Sequence, residues 1–323
     1  MTASLPSEVQ SVFDRFITTE YTTLDRKGQP ITWPVTPYYR LGGGAIDVTT
    51  GIGYPKKAED ARINPHVALL FSDPSGCGLD NPPMVLVQGC AKIDDADLDA
   101  NAVRYTRESV EKLPATKSMM PPKAIRRFFD WYYKRLYVYV RPERVYVWHG
   151  GDLSAEPELF GDHMEEVRSG HSEEPEEGHT NPEGGAAIWD DRIDELGTRH
   201  KTAVLSFVAP DGFPFSVRVP VRVDRGAKQI HIDAEPVGAP LEPGLACLTA
   251  HAHDPEFKWQ VNFQVRGDLR RENGSWSLEP HKVVGGFELP PTSMFQRYKS
   301  SWNDVRRYRR IAKHELARRK DGT

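Results

Sequence analysis

Thr49, Thr50, Lys56 and Lys57 fall within nine residues of one another, with Gly51 and Gly53 between them. A phosphate is held by fixed positive charge together with hydroxyl or amide donors that converge on it. This stretch offers both, and its glycines leave the backbone free to turn. The plain alternative is an ordinary surface lysine pair at the start of a helix. A second pattern of interest is Thr249-Ala-His-Ala-His253, whose alternating histidines share one face of a strand and could ligate iron. The alternative there is a polar strand edge. Cys77, Cys90 and Cys247 have no CxxC spacing, which argues against both a disulfide framework and a cysteine metal site.

The elements around these residues read as antiparallel β. Thr18–Leu24 and Ala203–Val208 are short β-prone runs that lead into the turns Asp25-Arg26-Lys27-Gly28 and Ala209-Pro210-Asp211-Gly212. Ile31–Tyr39 and Phe215–Val223 follow with alternation, Val217, Val219, Val221 and Val223 sharing one face. Ala45–Thr50, Val67–Ser72, Met84–Ile93 and Leu136–Trp148 complete the strands predicted for the first half. Between Asp94 and Lys134 lies a helical insert, in which Ile125, Phe128, Phe129 and Tyr132 recur at helical spacing and read as core. A basic helix, Ser300–Lys320, ends the chain and reads as a solvated face.

The two halves repeat each other. Gly28, Pro30, Ile46 and Val48 return 184 positions later as Gly212, Pro214, Ile230 and Ile232. Pro65–Leu69 falls on Pro243–Cys247, and Val87-Gln88-Gly89 on Val265-Arg266-Gly267, at a shift of 178. Pro142–Val145 parallels Pro280–Val283. Equivalences that keep chain order over such a length indicate a duplicated domain. From Glu165 to Gly185 the chain is acidic, rich in Gly, Pro and Ser, and almost without apolar residues, which reads as a linker; His171 and His179 within it read as solvated. The expected division is therefore a barrel over 1–164, a linker over 165–186 and a second barrel with a C-terminal helix over 187–323. The shift of 178 puts Glu235 at the place of Lys57, so the second copy is expected to lack the anion site.

Composition narrows the classes. A net charge of -4 gives no nucleic-acid footprint, and 38% hydrophobic residues suffice for real cores. No run reaches the length of a membrane span, and residues 1–10 lack a signal-peptide pattern. The expectation is a cytoplasmic protein without nucleic-acid or membrane partners.

The run Asp47–Phe71, with its Thr49-Thr50 strand end, its lysine loop and its Asn64-Pro-His-Val67, resembles the core motif of the pyridoxamine 5'-phosphate oxidase-like family. Val85–Lys92 is similar to that family's next strand and Arg141–Trp148 to its closing strand. The resemblance implies two tandem split β-barrels, a mainly β fold, paired as a pseudo-dimer. It implies an FMN or deazaflavin (F420) cofactor whose phosphate meets Lys57, with Lys56, Thr49 and Thr50 beside it and Gln88 near the ring or ribityl chain. It further implies an oxidoreductase acting on a small molecule, as a monomeric pseudo-dimer or a homodimer. Trp33 and Tyr38 stand where the pyridoxamine phosphate oxidases themselves carry Arg and Lys, so oxidation of vitamin B6 is not expected. The alternative class is a non-catalytic flavin- or haem-binding protein.

Overall fold

The computed structural model describes residues 5–40, 43–120, 127–161, 188–286 and 302–321; the acidic segment 165–186 lies outside them. The first half runs α1 (Ser7–Arg15), β1 (Thr19–Leu24), β2 (Pro30–Val35), β3 (Tyr38–Tyr39), β4 (Ile46–Gly51), α2 (Lys56–Ile63), β5 (His66–Phe71) and β6 (Met84–Asp94). It continues through α3 (Leu98–Lys112), α4 (Thr116–Met119), α5 (Asp130–Tyr133), β7 (Arg135–Trp148) and β8 (Glu158–Gly161). The second half supplies β9 (Thr202–Val208), β10 (Pro214–Asp224), β11 (Gln229–Ile232), β12 (Gly244–His253), β13 (Gln260–Glu272), β14 (Ser275–Gly285) and α6 (Trp302–Asp321).

Turn chemistry sets the hairpins. The Asp25 carboxylate accepts from the backbone N–H groups of Lys27 and Gln29, and Gly28 adopts φ 76°. In the second half Asp211 accepts from the N–H of Phe213, and Gly212 adopts φ 83°.

Strands β9 to β14 close into a barrel in the order β10-β11-β14-β13-β12-β9. The first half has the same connections in a curled sheet, β2-β1-β5-β6-β7-β4-β3, with β8 added on β7. The difference lies between β2 and β3. Strand β10 is unbroken and pairs with both β9 and β11, whereas the matching stretch is split into β2 and β3 at Thr36 and Pro37. Strand β3 retains only the pairs Tyr38–Asp47 and Tyr39–Ile46 with β4.

Register tests the repeat residue by residue. Both β6 and β13 carry a bulge at the same place, between Gln88 and Gly89 and between Arg266 and Gly267, and each glycine faces a proline, Pro142 or Pro280. On β5 the shift needs correction by one. Ala68 lies opposite Thr22 as Cys247 lies opposite Ser206, so Ala68 corresponds to Cys247, at a shift of 179 rather than 178.

Helix placement also departs from the sequence reading. Helix α6, expected to finish the second half, packs on the first: Tyr308 stacks on Trp131 at 5.3 Å, and Arg319 pairs with Asp95 at 2.6 Å. The insert folds as α3, α4 and α5, and Phe128 is half exposed instead of core, while Ile125 lies outside the described residues. No helix among the described residues is long and apolar enough to cross a membrane.

Two large cores form. One fills the first half; the other fills the closed barrel and continues across the contact between halves to Ala68, Leu70, Met84, Leu86 and Trp148. Beside this apolar seam lies a buried polar one. Fully buried Glu20 accepts from Arg218 at 2.9 Å and lies 2.6 Å from His251 Nε2. Burial alone would raise the Glu20 carboxyl, but the hydrogen bond and charge of His251, and then Arg218, hold it below the usual carboxylate range.

Candidate functional site

The broken strand β2–β3 forms one wall of a cavity of about 330 Å³ between the halves. Trp33 and Tyr38 come from this wall, Thr49 from β4, Lys57 from α2 and Arg135 from β7; the second half contributes Asn262, Arg266 and Gly286. The volume falls at the lower end of the roughly 300–1,000 Å³ typical of small-molecule sites. Lys56, Lys57, Arg135, Arg266 and Arg307 line it, and among the described residues no Asp or Glu does. On a chain of net charge -4, this is a local concentration of positive charge.

Arg135 is the deepest of these cations, at 5% exposure. It opens β7 opposite Gly51, a register that turns it towards the Tyr54 loop. Its Nη1 donates to the Tyr54 hydroxyl at 2.8 Å, and its guanidinium lies 4.0 Å from the ring centre of Tyr105 and 4.3 Å from that of Tyr132. It forms no ion pair among the described residues, and its buried Nε has no hydrogen-bond partner. A guanidinium cannot shed its proton to escape burial, so rings and one phenol oxygen leave its charge uncompensated.

Lys57 stands beside it in the first turn of α2, a helix with no side-chain cap at its N-terminus. Its ammonium lies over the Tyr54 ring at 5.5 Å and meets no carboxylate among the described residues. The Lys57 side chain is half-buried. Burial, and then repulsion from Arg135, pull its pKa down to about 8.

Gly51 and Gly53 serve close packing. A Cβ on Gly51 would meet the Trp131 carbonyl at 2.8 Å and the Tyr54 ring at 3.0 Å; one on Gly53 would meet the same carbonyl at 3.0 Å. Tyr54 can therefore fold back under Lys57 and over Arg135. Tyr308 of α6 lies edge-on to it, with ring centres 5.5 Å apart, and closes the same end of the cavity.

Thr49 and Lys57 thus line one cavity, with Lys56 at its rim paired to Asp60 at 2.8 Å. Thr50 points to the other face of β4 and donates to the Tyr54 carbonyl at 2.8 Å, so it braces the loop. Gln88 lies elsewhere: fully buried, it donates to the Pro214 carbonyl at 2.8 Å across the contact between halves. The cavity holds its structural counterpart, Arg266. Sequence reasoning missed Arg135; the signal was a basic residue opening a strand among Tyr132, Tyr133, Tyr137 and Tyr139.

The matching place on the other side of the pseudo-dimer is filled. Met84 stands there for Asn262, Tyr146 for Val284 and Trp148 for Gly286, by the register of β6–β7 against β13–β14. Met84 and Trp148 pack with Phe215 and Val217 in the shared core, with Tyr146 against it. Helix α2 has no counterpart either: residues between β11 and β12 form a shorter loop. The equivalence of Lys57 with Glu235 therefore does not hold. Glu235 is a surface residue 3.3 Å from Arg271.

His251 and His253 are buried, contrary to a strand edge. His253 Nε2 lies 3.1 Å from the Thr18 hydroxyl and 3.6 Å from Asp73, and His251 is held by Glu20. No group of three or more His, Cys, Asp or Glu side chains among the described residues could hold a metal ion.

No family model matches the sequence, and no curated protein matches it. Among solved structures, a putative pyridoxamine 5'-phosphate oxidase from Listeria innocua is 16% identical, the match spanning 44% of this chain and 95% of that one, at TM-score 0.32. A structure titled F420 reductase matches at 20% identity over 44% of this chain and 98% of its own, at TM-score 0.32. The haem storage protein HutZ from Vibrio cholerae matches at 12% identity over 45% and 96%, again at TM-score 0.32.

Proposed function

We propose that the cavity binds a phosphorylated flavin-type cofactor, FMN or the deazaflavin F420, and that the chain is an oxidoreductase acting on a small molecule. The observation that carries this reading is Arg135: a buried guanidinium with an orphaned Nε and no carboxylate, facing a cavity that Lys57 also faces. An anion bound there would supply the missing partner. Lys57, Arg135 and the Thr49 hydroxyl would hold the phosphate. When bound, the cofactor supplies the electron chemistry.

The chain's own residues bind, orient and exclude water. Trp33 and Tyr38 offer flat apolar surface beside the cations, and Tyr54 fixes the Arg135 guanidinium in one orientation. The second barrel closes the far wall through Asn262 and Gly286, so the site needs both halves of one chain. With the matching place filled, one chain provides one site and acts as a monomeric pseudo-dimer.

The test is titration of the purified protein with FMN, F420 and riboflavin, together with identification of any ligand released on denaturation. Binding of a phosphorylated cofactor, with riboflavin at least tenfold weaker, is expected. Failure of both phosphorylated cofactors to bind sinks the reading.

A further inference from the structure

Of the cations lining the cavity, Arg266 is the one carried by the second barrel, and its position differs in kind from those of Lys57 and Arg135. It sits at the β13 bulge, where the first half carries Gln88 at the corresponding β6 bulge. Its Nε donates to the Gln264 side-chain oxygen at 2.6 Å, and Gln264 in turn donates to the Thr32 carbonyl at 2.9 Å. The guanidinium is thus held by a neutral chain of hydrogen bonds anchored on the opposite half, and it forms no ion pair among the described residues. The duplicated fold has used this backbone position twice. It carries a neutral amide where the site is filled and a fixed charge where the site is open.

We propose that Arg266 is the second barrel's contact to the cofactor ring, and that it favours the reduced, negatively charged ring over the oxidised, neutral one. This rests on the reading of the cavity as a flavin-type site. Lys57 and Arg135 occupy the first half and meet the phosphate, which is charged in both redox states. A charge that binds both states equally changes affinity and leaves the redox equilibrium alone; only a charge facing the group whose charge changes can shift it. Arg266 is the cavity cation that the second barrel supplies, on the wall opposite Lys57 and Arg135.

The test compares the midpoint potential of FMN bound to the whole chain with that of R266Q, R266K and Lys57→Ala, using dithionite as reductant. R266Q installs the residue that the first half already carries at this position. A tenfold loss of preference for reduced FMN is expected in R266Q, equivalent to about 30 mV more negative for a two-electron couple, with oxidised FMN bound within about threefold of the unaltered protein. R266K retains the charge and should restore at least half of the shift. Lys57→Ala should weaken both redox forms alike and leave the potential in place. An unchanged potential in R266Q overturns the role of Arg266 while leaving the phosphate site standing. A shift caused equally by Lys57→Ala also overturns it. Failure of the unaltered protein to bind FMN overturns the role of Arg266, and failure to bind F420 as well overturns the reading of the cavity.

Discussion

The Thr22 hydroxyl lies 2.8 Å from the Ser216 hydroxyl, and Thr32 donates to Ser206 at 2.7 Å. Thr22 and Ser206, like Thr32 and Ser216, are 184 positions apart in the chain, and each pair holds the same place in its half. Four fully buried hydroxyls, Thr22, Thr32, Ser206 and Ser216, therefore meet around an approximate two-fold axis. The duplication seen in the sequence is a spatial pairing.

The four hydroxyls hydrogen-bond to one another across the contact between halves. Replacing Thr22 with Val leaves buried partners short of a bond, which costs about 1–3 kcal/mol. Chemical denaturation of the variant measures this. A double-mutant cycle of Thr22→Val with Ser216→Ala should show coupling of about 0.5 kcal/mol or more. Additive effects would mean the hydroxyls do not act together.

Acid should loosen the same contact. The Glu20 and Asp73 carboxyls both sit below their ordinary values of 4.5 and 3.8. For each, burial raises the pKa; the hydrogen bond and charge of His251, with Arg218 and Ser72, outweigh it at Glu20, and the charge of His251, with Ser75, His253 and Arg218, outweighs it at Asp73. A depressed folded pKa contributes stability that is present above the unfolded value and lost as pH falls through the folded one. Stability should therefore hold down to about pH 4.5 and decline below it, more steeply than in Glu20→Gln. Equal acid profiles for the two proteins would remove this role.

The filled place opposite the cavity predicts one cofactor per chain. Trp148→Ala should cost about 3–5 kcal/mol, as expected for deleting a fully buried indole. It should open no second site, because among the described residues no equivalent of α2, Lys57 or Arg135 faces that space. Glu235→Lys should likewise leave the stoichiometry at one. Calorimetric titration giving two FMN per chain would contradict the asymmetry.

Much of the fold was legible because local rules and the repeat agreed. Alternation placed the strands within a residue or two, and Asp25-Gly28 and Asp211-Gly212 marked equivalent turns. What the sequence left open depended on long-range contacts. Nothing in Trp302–Asp321 announces that it packs against Trp131, and the loss of α2 from the second half shows only in how β11 connects to β12. Lys57 and Thr49 were readable because they cluster in the chain. Arg135 was not, since it reaches the cavity through a register that only strand pairing sets.

Lys57 gives the site a pH signature. Its pKa near 8 in the free protein means that a growing fraction is neutral above that pH. A bound phosphate favours the charged form, so FMN affinity should be highest near pH 7, above the second ionisation of the phosphate at about 6, and fall as pH rises through 8. Riboflavin, lacking the phosphate, should show no such fall. Parallel pH profiles for the two would detach Lys57 from the phosphate.

The most direct test of the phosphate site is FMN titration of Lys57→Glu alongside the unaltered protein. The substitution exchanges a charge-assisted contact, worth about 1.5–3 kcal/mol, for repulsion. FMN affinity should drop at least tenfold, while weak riboflavin binding and the melting temperature stay close to those of the unaltered protein. FMN bound equally well by both proteins would contradict the account.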